Sequence, residues 1–555
     1  MKKLIFILLV SCIWNQNLMA QVSTNSGSGL AATYANLADA ITALNAATIT
    51  DPVIITLDAL NPQTAPAGGY SITASGSATN TIVIHGSSNT ITAPSPQATG
   101  QLYDALFKII GGDFITIEGF TMQENPANTA TAAATNNMTE WGVALLYAST
   151  TNGAQNNTIS NCTISLNRTY QNTFGIYSNS THAATTPATS ATATGSAGGN
   201  SGLTITDNTI SNVNMGIVVI GPFAAADHND VLTIGGIGNA NTILNYGTTA
   251  TFSAFANVSA TVNGILVKNT KNTGISYNTI TSSEFGTTSG TLYGIQNAVS
   301  TNAPTGTFTN SFSNNSISLK SGQANGNING IYLDMTTAST TSTLNINNND
   351  FNNFGHLIPG FGYGDITFIS NAGTHLNQSI SNNTFTNLDL FTGGDIIFIS
   401  NTNTLPANGI KNINNNSIVT AFDKNDTGGT ITFYTDNGDS PNGTIENNNN
   451  NNFSQITALG ATIYGWSNQD GGIGALPTKT IQNNTFTNIT SSGAVPVTAI
   501  SASYSSPSSI ITGNIITNLS CGNWLTAITL SSYSIFNVYS NTINNLNSSG
   551  IVAIS

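Results

Sequence analysis

Two aspartates occupy the same position in two similar phrases of the sequence. Asp365 is the second residue of GDITFISN (364–371), and Asp395 is the second residue of GDIIFISN (394–401). If the phrases are strands of neighbouring coils, the carboxylates lie roughly 4.8 Å apart. Such a pair could gather Ca²⁺, or could serve a retaining glycoside hydrolase, whose carboxylates stand roughly 5 Å apart. The alternative is a solvated strand face whose carboxylates splay apart.

A third phrase, GTITFYTD (429–436), aligns with these two without gaps. Its last residue, Asp436, and the nearby Asp439 lie in TDNGDS, which is a less specific candidate for a calcium loop. No other metal or cofactor is predicted.

The same alignment predicts which side chains point away from the core. With Ile366 and Phe368 facing inward, strict alternation directs the next position outward. The outward column is then Ile369, Ile399, Tyr434 and, one coil later, Trp466, and a neighbouring outward column holds Tyr332 and Tyr464. Exposed rows of this kind are normally covered by a loop or used for binding. If they are uncovered, the flat aromatic faces suit sugar rings, so these six residues are the predicted ligand-binding set.

Residues for other chemistry are sparse. Arg168 is the one arginine, and no carboxylate lies within twenty residues of it. The five histidines are scattered, without the short spacings typical of metal ligands. The sequence therefore favours a binding protein over an enzyme.

An asparagine phrase sets the architecture. The motif Asn, any residue, then Ile or Phe recurs at intervals of 27 to 51 residues, most of them near 34. Its copies begin at Asn157, Asn208, Asn241, Asn278, Asn315, Asn349, Asn383, Asn416, Asn451, Asn484, Asn514 and Asn541. Between the copies, apolar residues alternate as in strands, and no helical period runs through the repeats.

Each repeat is too short to bury its own apolar face, so the repeats must stack as coils whose strands pair in parallel. Asn suits the corners because it tolerates left-handed backbone angles and because its amide can bond to the Asn one coil away. A charge in such a column would face a like charge, which explains why 6% of residues are charged. The predicted fold is an all-β, right-handed, single-stranded parallel β-helix.

The ends of the chain have other patterns. Residues 1–20 are a predicted secretory signal peptide, although Leu9 to Cys12 also resemble a lipoprotein signal. Residues 21–50 form a lead with a predicted capping helix at 33–47, and residues 51–555 form the β-helix. A low-complexity tract at about 181–200 is a predicted surface loop. The chain stops inside a strand phrase, which predicts an incomplete C-terminal end and end-to-end self-association.

The net charge of the protein limits the classes of partner that it can bind. Loss of Lys2 and Lys3 with the signal changes the formal charge from −13 to −15. Such an acidic surface would repel nucleic acid and anionic lipid. No later segment has the roughly 20 apolar residues of a transmembrane helix. The expected location is extracellular or on the outer cell surface.

The phrases LTITDNTISNVNMGIVVIG (203–221) and ALFKIIGGDFITIEGFTM (105–122) resemble those of secreted bacterial right-handed parallel β-helix proteins, the pectin-lyase-like group. The N-terminal section is also similar to long surface proteins of gliding bacteria that end in a secretion-sorting domain, which this sequence does not contain. The resemblance covers residue 50 onward and implies a fold that hosts lyases, hydrolases, adhesins and stalks. The catalytic pattern of the pectin-active enzymes does not carry over.

The expected function is that of a binding or spacer protein, for adhesion or for recognition of extracellular glycans or surface proteins. The alternative is a carbohydrate-active enzyme, a polysaccharide lyase or glycoside hydrolase, that uses Asp365 and Asp395 on a neutral polysaccharide.

Overall fold

The chain folds into a parallel β-solenoid of about 12 turns, 52% strand and 4% helix, as a computed structural model shows. The structure describes residues 21–132, 135–180, 191–248, 261–283, 290–298, 304–323, 325–334, 339–356, 363–470, 477–531 and 534–555. The predicted signal peptide and residues 181–190 of the predicted loop lie outside these ranges. Within them, no helix has both the length and the apolar character of a membrane span.

Three stacks of strands, named here the first, second and third sheets, make up the coils. The first sheet contains Val22–Thr24, Thr33–Tyr34, Val53–Leu57, Ile82–His85, Ile115–Glu118, Thr158–Ser160, Leu203–Thr206, Asn229–Gly235, Thr270–Ser276, Thr309–Ser313, Ser339–Asn347, His375–Ser381, Ile410–Asn414, Ile445–Asn449, Thr478–Gln482, Ser508–Thr512 and Phe536–Tyr539.

The second sheet contains Gln63–Thr64, Thr90–Thr92, Thr121–Gln123, Thr163–Ser165, Thr209–Ser211, Thr242–Tyr246, Thr279–Ser282, Ser316–Ser318, Asp350–Asn352, Thr384–Thr386 and Ser417–Ile418. Two further groups of strands are paired separately: Asp389–Leu390, Phe422–Lys424, Ile456–Leu459, Thr485–Ser492, Ile515–Cys521 and Thr542–Asn547 in one, and Lys320–Ser321 and Gly355–His356 in the other.

The third sheet contains Tyr70–Ile72, Ala105–Ile110, Trp141–Leu146, Phe174–Ser178, Met215–Ile220, Thr261–Lys268, Thr291–Ala298, Ile328–Asp334, Ile366–Asn371, Ile396–Asn401, Thr430–Asp436, Thr462–Asn468, Val497–Ala502, Trp524–Leu530 and Gly550–Ile554. A typical coil runs through the three sheets in order and then starts again one strand higher. Equivalent side chains therefore stack, as Ile366 does on Ile396.

The two predicted roles of asparagine are divided between neighbouring residues at most corners. In NNTFTN, the first residue, Asn382, has the left-handed φ of 59°, and the second, Asn383, forms the ladder. Asn483 and Asn484 repeat this arrangement in the second copy of the phrase. Ten amide-to-amide hydrogen bonds of 2.9–3.0 Å join the ladder from Asn208 to Asn541.

Asn157 does not belong to this ladder, contrary to the motif search. Its amide donates to the carbonyl of Gly112, and Cys162 takes the ladder position, where its N–H donates to Asn208. The predicted position was wrong because the Asn-Thr-Ile pattern also occurs at Asn157, which lies at a different corner of that coil. Cys162 and Cys521 are both buried and free.

A helix, Leu37–Ala46, caps the N-terminal end, as predicted. It begins four residues later than the sequence pattern indicated, because Asn36 accepts the N–H of Asp39 as an N-cap and the preceding Thr33–Tyr34 is a strand. Ile41 and Leu44 join the continuous core that runs through the coils. Short 3₁₀ turns lie at Gly27–Gly29, Ser196–Gly198 and Ala225–Asp227.

Candidate functional site

The predicted outward column of the third sheet is buried, so this prediction was wrong. Its four members, Ile369, Ile399, Tyr434 and Trp466, have at most 3% exposed surface and belong to the core. The reason is a break in alternation: no strand pairing occurs at the Phe368 position, and two successive residues face inward there. The alternative prediction, that a loop covers this column, does not apply either, because these side chains pack inside the solenoid.

Tyr332 and Tyr464 are both partly exposed on the outer face of the third sheet, but they do not share a column. Tyr332 stacks over Ser370, whereas Tyr464 follows Thr432. The prediction of one tyrosine column was therefore wrong, because the break in alternation at the Phe368 position separates the two positions.

The outer face of the third sheet differs along the solenoid. In the early coils it is covered: Trp141 and Tyr177 stack at 4.9 Å inside a separate buried cluster. In the later coils it carries hydroxyl side chains. A shallow groove of about 220 Å³ lies there, lined by Asp395, Ile397, Thr430, Thr432, Thr435, Tyr464 and Ser467.

Asp365 and Asp395 stand at one edge of this face, in consecutive coils as the alignment predicted. Each carboxylate accepts a backbone N–H from the next coil: Asp365 Oδ1 accepts from Asp395 at 2.9 Å, and Asp395 Oδ1 accepts from Thr430 at 2.8 Å. One coil earlier, Asn327 Oδ1 accepts the backbone N–H of Asp365 in the same way. One oxygen of each acid therefore holds the start of the neighbouring strand.

The predicted calcium loop does not gather its two aspartates on one ion. Asp439 is exposed, whereas Asp436 is fully buried. The Asp436 carboxylate accepts from Lys411 Nζ at 2.8 Å and from the Tyr434 hydroxyl at 2.8 Å. A lysine therefore supplies the positive charge that calcium was predicted to supply.

Asp436 is one member of a buried network of charges, which also includes Lys411, Glu446, Asp470 and Lys479. Lys479 Nζ lies 2.8 Å from both Glu446 Oε2 and Asp470 Oδ2, and Lys411 Nζ lies 3.5 Å from Glu446 Oε1. All five side chains have no exposed surface. The three carboxylates have oxygens within 4.8 Å of one another, which would suit a metal ion, but the two ammonium groups already occupy that role.

Two opposing effects set the pKa values of this network: burial disfavours each charged form, and attraction between opposite charges favours it. Burial alone would lower the pKa of Lys411, but the carboxylates of Asp436 and Glu446 outweigh it and raise that pKa. Burial likewise acts to raise the pKa of Glu446, and the two lysines reverse it, so the pKa of Glu446 falls. Because three acids share two lysines, burial prevails at Asp470 and raises its pKa. The network is closed to solvent and serves structure.

The sequence contained a signal for this network that the strand analysis missed. Lys411 stands two residues before the core residue Ile413, and Lys479 two residues before Ile481, so both share the inward parity. Between them in the stack lies Glu446. The charges of Lys411, Glu446 and Lys479 therefore alternate in sign from coil to coil, so no two like charges are in contact in this column.

A comparison of this chain with protein-family models finds no match, and a comparison with curated proteins also finds none.

Proposed function

We propose that this chain is an exported binding and spacer protein, which presents the outer face of its third sheet to extracellular glycans or surface proteins. The observation that carries the proposal is the groove of about 220 Å³ in the later coils. Tyr464 offers a flat face for a sugar ring, while Thr430, Thr435 and Ser467 offer hydroxyl groups for hydrogen bonds.

The spacer role follows from the continuous core. The fifteen strands of the third sheet, stacked roughly 4.8 Å apart, give a length of roughly 70 Å. An amide ladder and parallel strands connect every pair of neighbouring coils over most of that length, so the stack resists bending. The resemblance to secreted pectin-lyase-like β-helix proteins and to surface proteins of gliding bacteria supports the same location, outside the cell.

The ligand class follows from charge. A formal charge of −13 disfavours a polyanionic glycan, and Asp395 adds a negative charge at the groove itself. The proposed ligand is therefore a neutral polysaccharide.

Affinity gel electrophoresis in a panel of neutral polysaccharides tests this function. We expect retardation of the wild-type chain by at least one polymer and loss of it in Tyr464→Ala and in Ser467→Trp, which would fill the groove. Tyr277→Asn is the matched control, because Tyr277 is an exposed aromatic residue at a corner with a positive φ that Asn tolerates. Equal retardation of all four proteins would refute the groove as the binding site.

A carbohydrate-active enzyme is the second candidate, because Asp365 and Asp395 stand in consecutive coils beside the groove. Catalysis is less favoured than binding, because one oxygen of each carboxylate already accepts a backbone N–H. Release of reducing ends from a neutral polysaccharide, lost in Asp395→Asn, would establish this activity in place of simple binding.

We also propose that the 555-residue chain self-associates through its last coil. Trp524, Ile551 and Ile554 are about half exposed or more, and Gly550–Ile554 pairs on one side only. Such an edge recruits another strand. Light scattering that finds a monomer at all concentrations would exclude this association.

A further inference from the structure

Within the described residues, two buried acids near the N-terminal end lack the paired cations that the later network has. Asp104 directly precedes the strand Ala105–Ile110, and Glu140 directly precedes Trp141–Leu146. Their exposed fractions are 0% and 1%. Because Ala105 pairs with Trp141, the two acids are neighbours in consecutive coils, and the Asp104 N–H donates to Glu140 Oε2 at 2.9 Å.

Their column is one that later coils fill with apolar residues. Following the register along the third sheet, the same position carries the buried but uncharged Thr173 and Asn214 in the next two coils. It then carries Val262, Leu292 and Ile328, all fully buried. Two carboxyl groups in a core column are costly unless something compensates them.

Each acid has one satisfied oxygen and one unsatisfied oxygen. Asp104 Oδ2 accepts from the N–H of Ala98 at 2.9 Å, and Glu140 Oε2 accepts from Asp104. Among the residues that the structure describes, Asp104 Oδ1 and Glu140 Oε1 have no hydrogen-bond partner. Nor does any lysine, arginine or histidine in the described ranges form an ion pair with either carboxylate.

An amide oxygen next to the acids is also left without a partner in the described part of the chain. Gln97 is 2% exposed, and its Nε2 donates to Thr139 Oγ1, adjacent to Glu140. Its neighbour Ala98 donates to Asp104, so Gln97 lies close to both acids, and its Oε1 is unpaired among the described residues. The Tyr170 hydroxyl lies near Glu140 and acts to lower its pKa, but in the described part of the chain neither that hydroxyl nor any of these three acceptor oxygens has a hydrogen-bond partner of good geometry. The three oxygens therefore call for a positive charge or for protons.

We propose that Asp104 and Glu140, assisted by Gln97, form a binding site for a divalent cation with a preference for oxygen ligands, Ca²⁺. Neighbouring coils are roughly 4.8 Å apart, which is about twice the Ca²⁺–oxygen distance of about 2.3–2.6 Å. One ion between the two free oxygens can therefore contact both. Zn²⁺ fits less well, because it prefers nitrogen and sulfur ligands.

The nearest lysine does not substitute for the ion. Lys108 lies on the outer face of the sheet, 5.3 Å from the ring centre of Tyr103, and only its longer-range attraction reaches the two acids. Burial raises the pKa of Asp104 to about 6 and raises the pKa of Glu140 well above its ordinary value. Without an ion, both carboxyl groups therefore bind protons more readily than exposed acids do. The later network shows the contrast, since two lysines there neutralise three acids.

Terbium luminescence tests the proposal on the full chain. Tb³⁺ replaces Ca²⁺ at oxygen sites, and Trp141, the residue after Glu140, would sensitise its emission. We expect emission from the wild-type protein that Ca²⁺ displaces, and a melting temperature that rises with Ca²⁺ and falls with a chelator. Asp104→Asn combined with Glu140→Gln should lose both effects.

Two matched controls locate the ion. Asp365→Asn with Asp395→Asn removes the acid pair at the edge of the third sheet and should leave both effects intact. Asp436→Asn tests the later network in the same way. Loss of the Ca²⁺ effect in either control, or its persistence in the Asp104 and Glu140 variant, would place the ion elsewhere. A folded wild-type chain whose melting temperature and Tb³⁺ emission show no response would mean that the pair holds only protons or water, and would overturn the proposal.

Discussion

Lys411 Nζ lies 2.8 Å from Asp436 Oδ2 inside the solenoid, and neither side chain has any exposed surface. This pair joins the end of the third-sheet strand Thr430–Asp436 to the first-sheet strand Ile410–Asn414, which precedes it in the chain. In the preceding coil the paired positions carry uncharged polar residues, Gln378 opposite Lys411 and Asn401 opposite Asp436. The energetic role of the ion pair can be measured by removing the cation alone.

Lys411→Met should lower the free energy of unfolding by about 3–5 kcal/mol, because it leaves Asp436 buried without a cation. Lys271→Met is the control: Lys271 pairs with Asp230 at 3.4 Å, where Asp230 is 42% exposed, so its loss should cost about 1 kcal/mol or less. Urea denaturation of both variants gives the comparison. Equal destabilisation would show that the buried network contributes no more than a surface pair.

Trp466→Ala should destabilise the chain by about 3–5 kcal/mol, since Trp466 is 3% exposed and stacks on Tyr434 at 5.9 Å. Tyr464→Ala, two residues earlier and on the outer face, should cost about 1 kcal/mol. Thermal melts of the two variants measure the difference. A smaller loss of stability for Trp466→Ala than for Tyr464→Ala would indicate that Trp466 lies on the surface.

The asparagine doublet at 348–349 separates backbone strain from hydrogen bonding. Asn348 has a φ of 60°, which glycine adopts freely, so Asn348→Gly should change stability by less than about 1 kcal/mol. Asn349→Gly removes an amide that donates to Phe312 and Asn383 and accepts from Asn315, and should cost about 3 kcal/mol or more. Chemical denaturation distinguishes the two, and the reverse order would contradict the ladder.

His375 should make the chain sensitive to acid. It is fully buried against Ser342 Oγ at 2.8 Å, and burial lowers its pKa from the ordinary 6.5 to about 4. Between these values the unfolded chain binds a proton that the folded chain does not, so stability falls as pH falls from 6.5 to about 4. The full loss is roughly 3 kcal/mol.

His375→Gln should flatten this part of the curve of unfolding free energy against pH. His85→Gln is the control, because His85 is 38% exposed beside Glu118. If the two variants give the same slope between pH 4 and 6.5, His375 does not carry the effect.

Most of the architecture could be predicted from the sequence because the information is local and repeated. Alternating apolar residues predicted the strands, the asparagine period predicted the stacking, and the spacing of Leu37, Ile41 and Leu44 predicted the helix. The alignment also placed Asp365 and Asp395 in consecutive coils. Each of these inferences depends only on residues within one coil and its repeat.

The orientation of Tyr434 and Trp466 could not be predicted, because one break in alternation at the Phe368 position reverses every assignment after it along the strand. The Asp104 and Glu140 pair was missed because the two residues lie 36 positions apart and precede their strands.

The sequence by itself determined that this protein is a stack of β-coils with asparagine corners, since that follows from periodic local preferences. Only the tertiary structure decided which side chains meet inside it. Lys411, Asp436 and Glu446 come from different strands, and their charges are compatible only because coil stacking brings opposite signs together away from water.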